Sequence, residues 1–180
     1  MKEYFLTIKK RMEKTMLTES MLKAINEQLN FEMYSANVYL SMSAYFKRNA
    51  LNGFADWMKL QAQEEFEHAM KIFDYISAKG GKIEISSMDA PQSEWTGPLN
   101  VMQYTLIHEQ EVTNRINNLF QIAHENNDHS TSVFFHWFIE EQVQEEAQVN
   151  EVIDKLILVG DSSHGIFMID DKMGLRTNAV

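Results

Sequence analysis

Apolar positions recur every three to four residues through four long stretches of the chain. That is the spacing of amphipathic helices, not the strict alternation of strands. Behind Thr18, an N-cap residue by type, Met21, Leu22, Ile25, Leu29, Met33 and Ala36 share one face and predict a helix to about Arg48. Asn49 to Gly53 carries the turn signals that end it. A second helix is expected from about Phe54 to Lys79, with Trp57, Leu60, Ile72, Phe73 and Ile76 on its apolar side and Gly80-Gly81 as its stop. Residues 81–98 lose the rhythm and hold both prolines, Pro91 and Pro98.

A third helix is predicted from about Leu99 to Glu125, marked by Val101, Met102, Leu106, Val112, Ile116, Leu119 and Ile122. Asn126-Asn127-Asp128 reads as a turn, with Ser130 or Thr131 as the expected cap of a fourth helix that stops at Val159-Gly160. Gly165 to Asp170 predicts a short fifth helix, whose apolar residues should meet the bundle or other subunits. The fold class is therefore all-α. The long 81–98 connection suits a crossover between the second and third helices of a four-helix bundle.

Composition narrows the chemistry. The chain has 180 residues and no Cys, which removes disulfides and thiolate metal sites. Any metal must be held by carboxylate, imidazole or amide, donors that suit Fe(II), Mn or Zn. The net charge of −10 argues against nucleic acid as a partner. The charge is uneven: residues 1–16 carry Lys2, Lys9, Lys10, Arg11 and Lys14 against Glu3 and Glu13, a net +3. They are expected to form a basic extension, disordered or a short helix. No apolar run is long enough to span a membrane and no signal-peptide block is evident, so a cytoplasmic location is expected.

Each long helix also places polar groups near its middle. Glu32 lies among Phe31, Met33, Ala36 and Leu40, with Tyr39 two turns along the same face. Glu65 and His68 stand three apart, one turn of helix, with Glu64 beside them. Glu109 falls in the third helix, and Glu141, Gln142 and Glu145 in the fourth. In an antiparallel bundle these mid-helix positions share one level, where carboxylates can converge only with compensating cations. The other reading is four unrelated glutamates on solvated faces.

Several short segments resemble the bacterial non-haem ferritins. They are Asn30 to Ser35, Gln63-Glu64-Glu65 with His68, His108-Glu109-Gln110, Trp137 with Glu141 to Glu146, and Gly165 to Asp170. The resemblance covers about residues 16–172 and implies a ferritin-like four-helix bundle with a fifth C-terminal helix. Residues 1–15 have no counterpart, so 16–180 is expected to be the domain. By resemblance, Glu32, Glu65 and His68 would hold one iron, and Glu65 would bridge to a second held by Glu109 and Glu145 with Gln142 nearby. Tyr39 and Trp137 match aromatic residues beside that centre. Glu64 and Glu141 match ligands of a third iron site, which Gln144 should weaken because an amide brings no charge. Gln148 stands where bacterioferritins have a second Glu-x-x-His histidine. No haem is expected, although Met58 lies on the second helix.

The resemblance implies ferroxidase chemistry: Fe(II) is oxidised by dioxygen or hydrogen peroxide and stored as Fe(III) mineral inside a homo-oligomer, a shell of 24 subunits in that family. Asp128 and His129 are candidates for an access channel. Three readings compete: a di-metal oxidase of an organic substrate on the same fold, a DNA-protecting binder like the mini-ferritins using the basic arm, and a bundle with no metal. The first needs a substrate pocket. The second usually places its ligands across a subunit interface, unlike the set here.

Overall fold

The computed structural model describes residues 17–176. Expectations for the basic extension lie outside them. Five helices and no strand occur among the described residues: α1 (Glu19–Arg48), α2 (Asn52–Ala78), α3 (Pro98–Glu125), α4 (His129–Val159) and α5 (Ser163–Met173). The helix α1 packs along α2 and α3, α3 along α4, and α5 rests on α2 and α4. Short turns make α1–α2 and α3–α4 antiparallel hairpins. No described helix is long and apolar enough to cross a membrane.

The helix starts follow local chemistry. The Thr18 hydroxyl accepts from Met21 N at 3.2 Å and caps α1. Ahead of α4 the cap is Asp128, not Ser130 or Thr131 as the sequence suggested. Its carboxylate accepts from Thr131 N at 3.1 Å and from the hydroxyls of Ser130 and Thr131. Burial alone would raise its pKa, but these hydrogen bonds and nearby Lys79 together hold it below the ordinary range. Ser and Thr lost the cap because the Asp two or three residues earlier offers a charged acceptor to both of them.

The crossover, residues 79–97, has no helix of its own, yet side chains of α1 satisfy part of its backbone. Asn26 accepts from Glu84 N at 2.7 Å and donates to Lys82 O at 3.0 Å. Asn30 accepts from Ser86 N at 2.8 Å and donates to Glu84 O at 2.7 Å. Further on, Ser41 donates to Gln92 O, and Arg48 pairs with Glu94, both at 2.6 Å. The segment thus runs the length of α1, and its Asn partners substitute for a sheet neighbour.

The helix α5 is fixed by one close approach. No side chain caps α2 at its own N-terminal residue, but buried Asp170 of α5 accepts from Phe54 N at 2.9 Å. At Gly53 an added Cβ would stand 1.6 Å from the Asp170 carbonyl oxygen. Substitution of Gly53→Ala is therefore expected to push α5 off the bundle and cost about 3 kcal/mol. Thermal melting would read the loss, and faster hydrogen exchange at Phe54 N would locate it. In this single subunit Ile169 faces inward, while Phe167 and Met168 face out at 65% and 50% exposure.

The apolar interior falls into two clusters. One gathers Tyr39, Met42, Phe46, Phe54, Met58, Met102, Val149 and Ile153. The other gathers Ile25, Leu29, Ile72, Val112, Ile116, Phe135 and Phe138. Met58 is fully buried in the first, so its sulfur does not reach a surface where a haem could meet it. Between the clusters lies a belt of buried polar side chains.

Candidate metal centre

That belt contains Glu32, Glu65, His68, Glu109, Gln142 and Glu145, all less than 10% exposed. Helical phase explains the placement. On α1, Leu29 and Glu32 share the inward stripe; on α2, Glu65, His68 and Ile72 do; on α4, Phe138, Gln142, Glu145 and Val149 do. The apolar residues on either side force the carboxylates inward with them.

Glu32, Glu65 and His68 each offer one ligand atom within 4.8 Å of the others. His68 Nδ1 stands 3.6 Å from Glu65 Oε2. Oε2 of Glu32 and Oε2 of Glu65 are buried and find no hydrogen-bond partner. A buried carboxylate oxygen without a donor is costly. Two of them aimed beside an imidazole fit a hard or borderline divalent cation, which would satisfy both at once.

Glu109 and Glu145 lie outside this tight group and are held by amides and a phenol. Gln142 donates to Glu109 Oε2 at 2.9 Å, and the Tyr39 hydroxyl donates to Glu109 Oε1. Gln61 donates to Glu145 Oε2 at 2.8 Å, and Gln28 donates to Glu32 Oε1 at 2.8 Å. Gln28 and Gln61 were not singled out in the sequence. Gln28 stands four residues before Glu32, the spacing of helix neighbours, so its signal was present; Gln61 bonds Glu145 across the bundle, which its spacing does not show.

The electrostatics are those of crowded, buried acids. Burial first, then the neighbouring Glu65, raises the pKa of Glu32 well above the carboxylate range. Burial and Glu109 do the same to Glu65. Burial also raises Glu109, against the hydrogen bonds from Tyr39 and Gln142. Burial and Glu109 push Glu145 up to about 7. Tyr39 is raised well above 10 by burial and by Glu109, so it stays a neutral donor.

Aromatic rings close the inner walls. Trp137 and Phe138 meet His68 edge-on at 5.4 and 5.7 Å, and Lys71 Nζ lies 3.2 Å over the Trp137 ring. His108, next to Glu109, bonds Ser35 Oγ at 2.8 Å and stacks on Phe31; burial lowers its pKa to about 4 and keeps it neutral.

Glu64 and Glu141 are not in the belt. They line an outer pocket of about 500 Å³ with Glu67, Gln144 and Gln148, and the pocket reaches His68 and Glu145 at its floor. Glu64 is not free within it: Arg176, just beyond α5, pairs with its carboxylate at 2.6 Å. No sequence feature had pointed to Arg176. Asp128 is engaged as the α4 cap, and His129 beside it is exposed.

Comparison with known proteins agrees with the fold. The family described as a ferritin-like domain matches residues 22–159. A bacterial non-heme ferritin of Bacteroides fragilis is 42% identical over 161 residues, covering 89% of this chain and all of the relative. One from Staphylococcus aureus is 37% identical over 162 residues, covering 90% and 98%. Among solved structures, an open-pore ferritin of Archaeoglobus fulgidus superposes with a TM-score of 0.88 at 40% identity, covering 89% of this chain and 98% of that one. A humanized archaeal ferritin gives 0.90 at 40% identity, covering 91% and 99%. With most of its length matched by both sequence and fold, the chain belongs to the ferritin family.

Proposed function

We propose that this ferritin stores iron by oxidising Fe(II) at the buried polar belt and depositing the Fe(III) as mineral inside a shell of its own copies. The observation that carries the reading is the pair of orphaned oxygens, Glu32 Oε2 and Glu65 Oε2, beside His68 in the buried polar belt. Iron is the substrate. One Fe(II) would be held by Glu32, Glu65 and His68, and a second by Glu65, Glu109 and Glu145 with Gln142 alongside. Carboxylate donors stabilise Fe(III) over Fe(II) and so favour the forward direction. Two Fe(II) supply two electrons; with two protons these reduce dioxygen to hydrogen peroxide. Peroxide, as an alternative oxidant, takes two electrons and two protons to give water.

The chain's own groups serve that reaction in distinct ways. Gln28, Gln61, Gln142 and Tyr39 orient the carboxylates before metal arrives. Phe138 and Trp137 cover His68. The outer pocket joins the solvent to His68 and Glu145 and gives Fe(II) a path past Glu67, Glu141 and the Arg176-paired Glu64, with Lys71 also on its wall. That charged lining, of both signs, is poorly suited to an apolar organic substrate, which weighs against the di-metal oxidase reading.

We assign residues 16–180 to the ferritin-like domain and 1–15 to an extension, place the protein in the cytoplasm, and take the shell to hold 24 subunits. Protein purified from iron-fed cells is expected to run as a large particle carrying many more iron atoms than subunits. Particle mass and iron content measure this together. A particle with at most about two irons per subunit would instead indicate a resident di-metal cofactor.

A further inference from the structure

We propose that Arg176 is a positioning residue for the outer half of the centre, holding Gln61 in the one amide orientation that donates to Glu145. The inference rests on the iron-centre reading above. Arg176 follows α5, and its guanidinium reaches back over α2, 5.0 Å from the Trp57 ring centroid. One end pairs with Glu64 Oε2 at 2.6 Å. The other end donates to Gln61 Oε1. The opposite end of the same amide, Gln61 Nε2, donates to Glu145 Oε2 at 2.8 Å.

An amide has an accepting end and a donating end, whereas a guanidinium only donates and a carboxylate only accepts. Gln61 stands between the two. Turned over, it would set N–H against N–H on the Arg176 side and oxygen against oxygen on the Glu145 side. Gln61 is 1% exposed, so water is not at hand to relieve either contact. The charge on Arg176 thus selects the amide orientation, and Glu64 holds the guanidinium in place. The relay runs from the C-terminal segment through Gln61 to Glu145, and its reach depends on the docking of α5 at Gly53 and Asp170. Without Arg176 the amide is free to turn, and Glu145 loses a fixed partner.

The test is Zn2+ affinity of intact particles, measured by competition with a chromophoric chelator, so that no turnover is involved. Arg176→Ala is expected to weaken the weaker of two Zn2+ sites about ten-fold, the usual cost of losing a ligand's support, and to leave the tighter site unchanged. Gln61→Met should show the same loss, and Arg176→Ala added to it should cost nothing more. Arg176→Lys keeps a charge for Glu64 but replaces the two-nitrogen guanidinium fork with a single ammonium nitrogen, so it serves if the Ala variant fails to assemble and carries the same expectation. Unchanged affinity in the Arg176 variants, or losses that add to those of Gln61→Met, would overturn the proposal. Glu65→Ala separates the two levels. If it leaves Zn2+ binding intact, the centre itself is misassigned; if it abolishes binding while the Arg176 variants bind normally, only the relay fails.

Discussion

Glu65→Ala is expected to slow Fe(II) oxidation by about 100-fold, because losing even a ligand's supporting partner costs 10- to 100-fold. Glu65 occupies the middle of the belt. Its carboxylate belongs to the group with Glu32 and His68, and it feels the charges of Glu109 and Glu145. Removing it leaves neither half of the centre with its full donor set. Asp74→Ala, at an exposed position on the same helix, should leave the rate unchanged. Stopped-flow absorbance after mixing with Fe(II) in air measures both, with particle mass confirming assembly. Loss of a buried acid that lacks a partner should also make the metal-free protein more stable, the opposite of an ordinary core truncation.

The second large effect is on stability against pH. Glu145 titrates near 7 in the folded protein and near the ordinary carboxylate value when unfolded. Between those values the folded state binds the proton that the unfolded state has released. The stability this contributes is full at low pH and is lost as pH rises through about 7. For Glu145 alone the loss is on the order of 3 kcal/mol; burial raises Glu32, Glu65 and Glu109 in the same direction. Metal-free protein should therefore melt at a lower temperature at pH 8 than at pH 5.5. Zn2+ should restore the loss, and by more at the higher pH, because the ligands must shed protons to bind. Glu145→Gln should flatten the slope. A metal-free protein that melts higher at pH 8, with no effect of the Gln variant, would show the acids are not crowded as described.

Much of this was legible in the sequence, for physical reasons that differ by residue. Helical periodicity placed the ends of the four long helices to within three residues, because their apolar stripes are continuous. Glu32 and Glu65 were legible because a Glu inside such a stripe must turn inward with its neighbours. Asp128 was misplaced because three cap-competent residues crowd one turn, and only their mutual hydrogen bonds decide among them. The crossover was readable as a length but not as a path, since Asn26 and Asn30 look like ordinary surface amides until their partners are known. Arg176 had no local signal at all. It reaches Gln61 only because Gly53 allows α5 to dock, a contact between segments more than a hundred residues apart.

Acids from four helices crowd one buried layer, where bound protons relieve them at low pH and metal ions do so at neutral pH. The most direct check is anomalous diffraction from crystals soaked anaerobically in Fe(II). One peak is expected among Glu32, Glu65 and His68, and a second among Glu65, Glu109 and Glu145. Anomalous density confined to the outer surface, with the belt empty at saturating iron, would contradict the account.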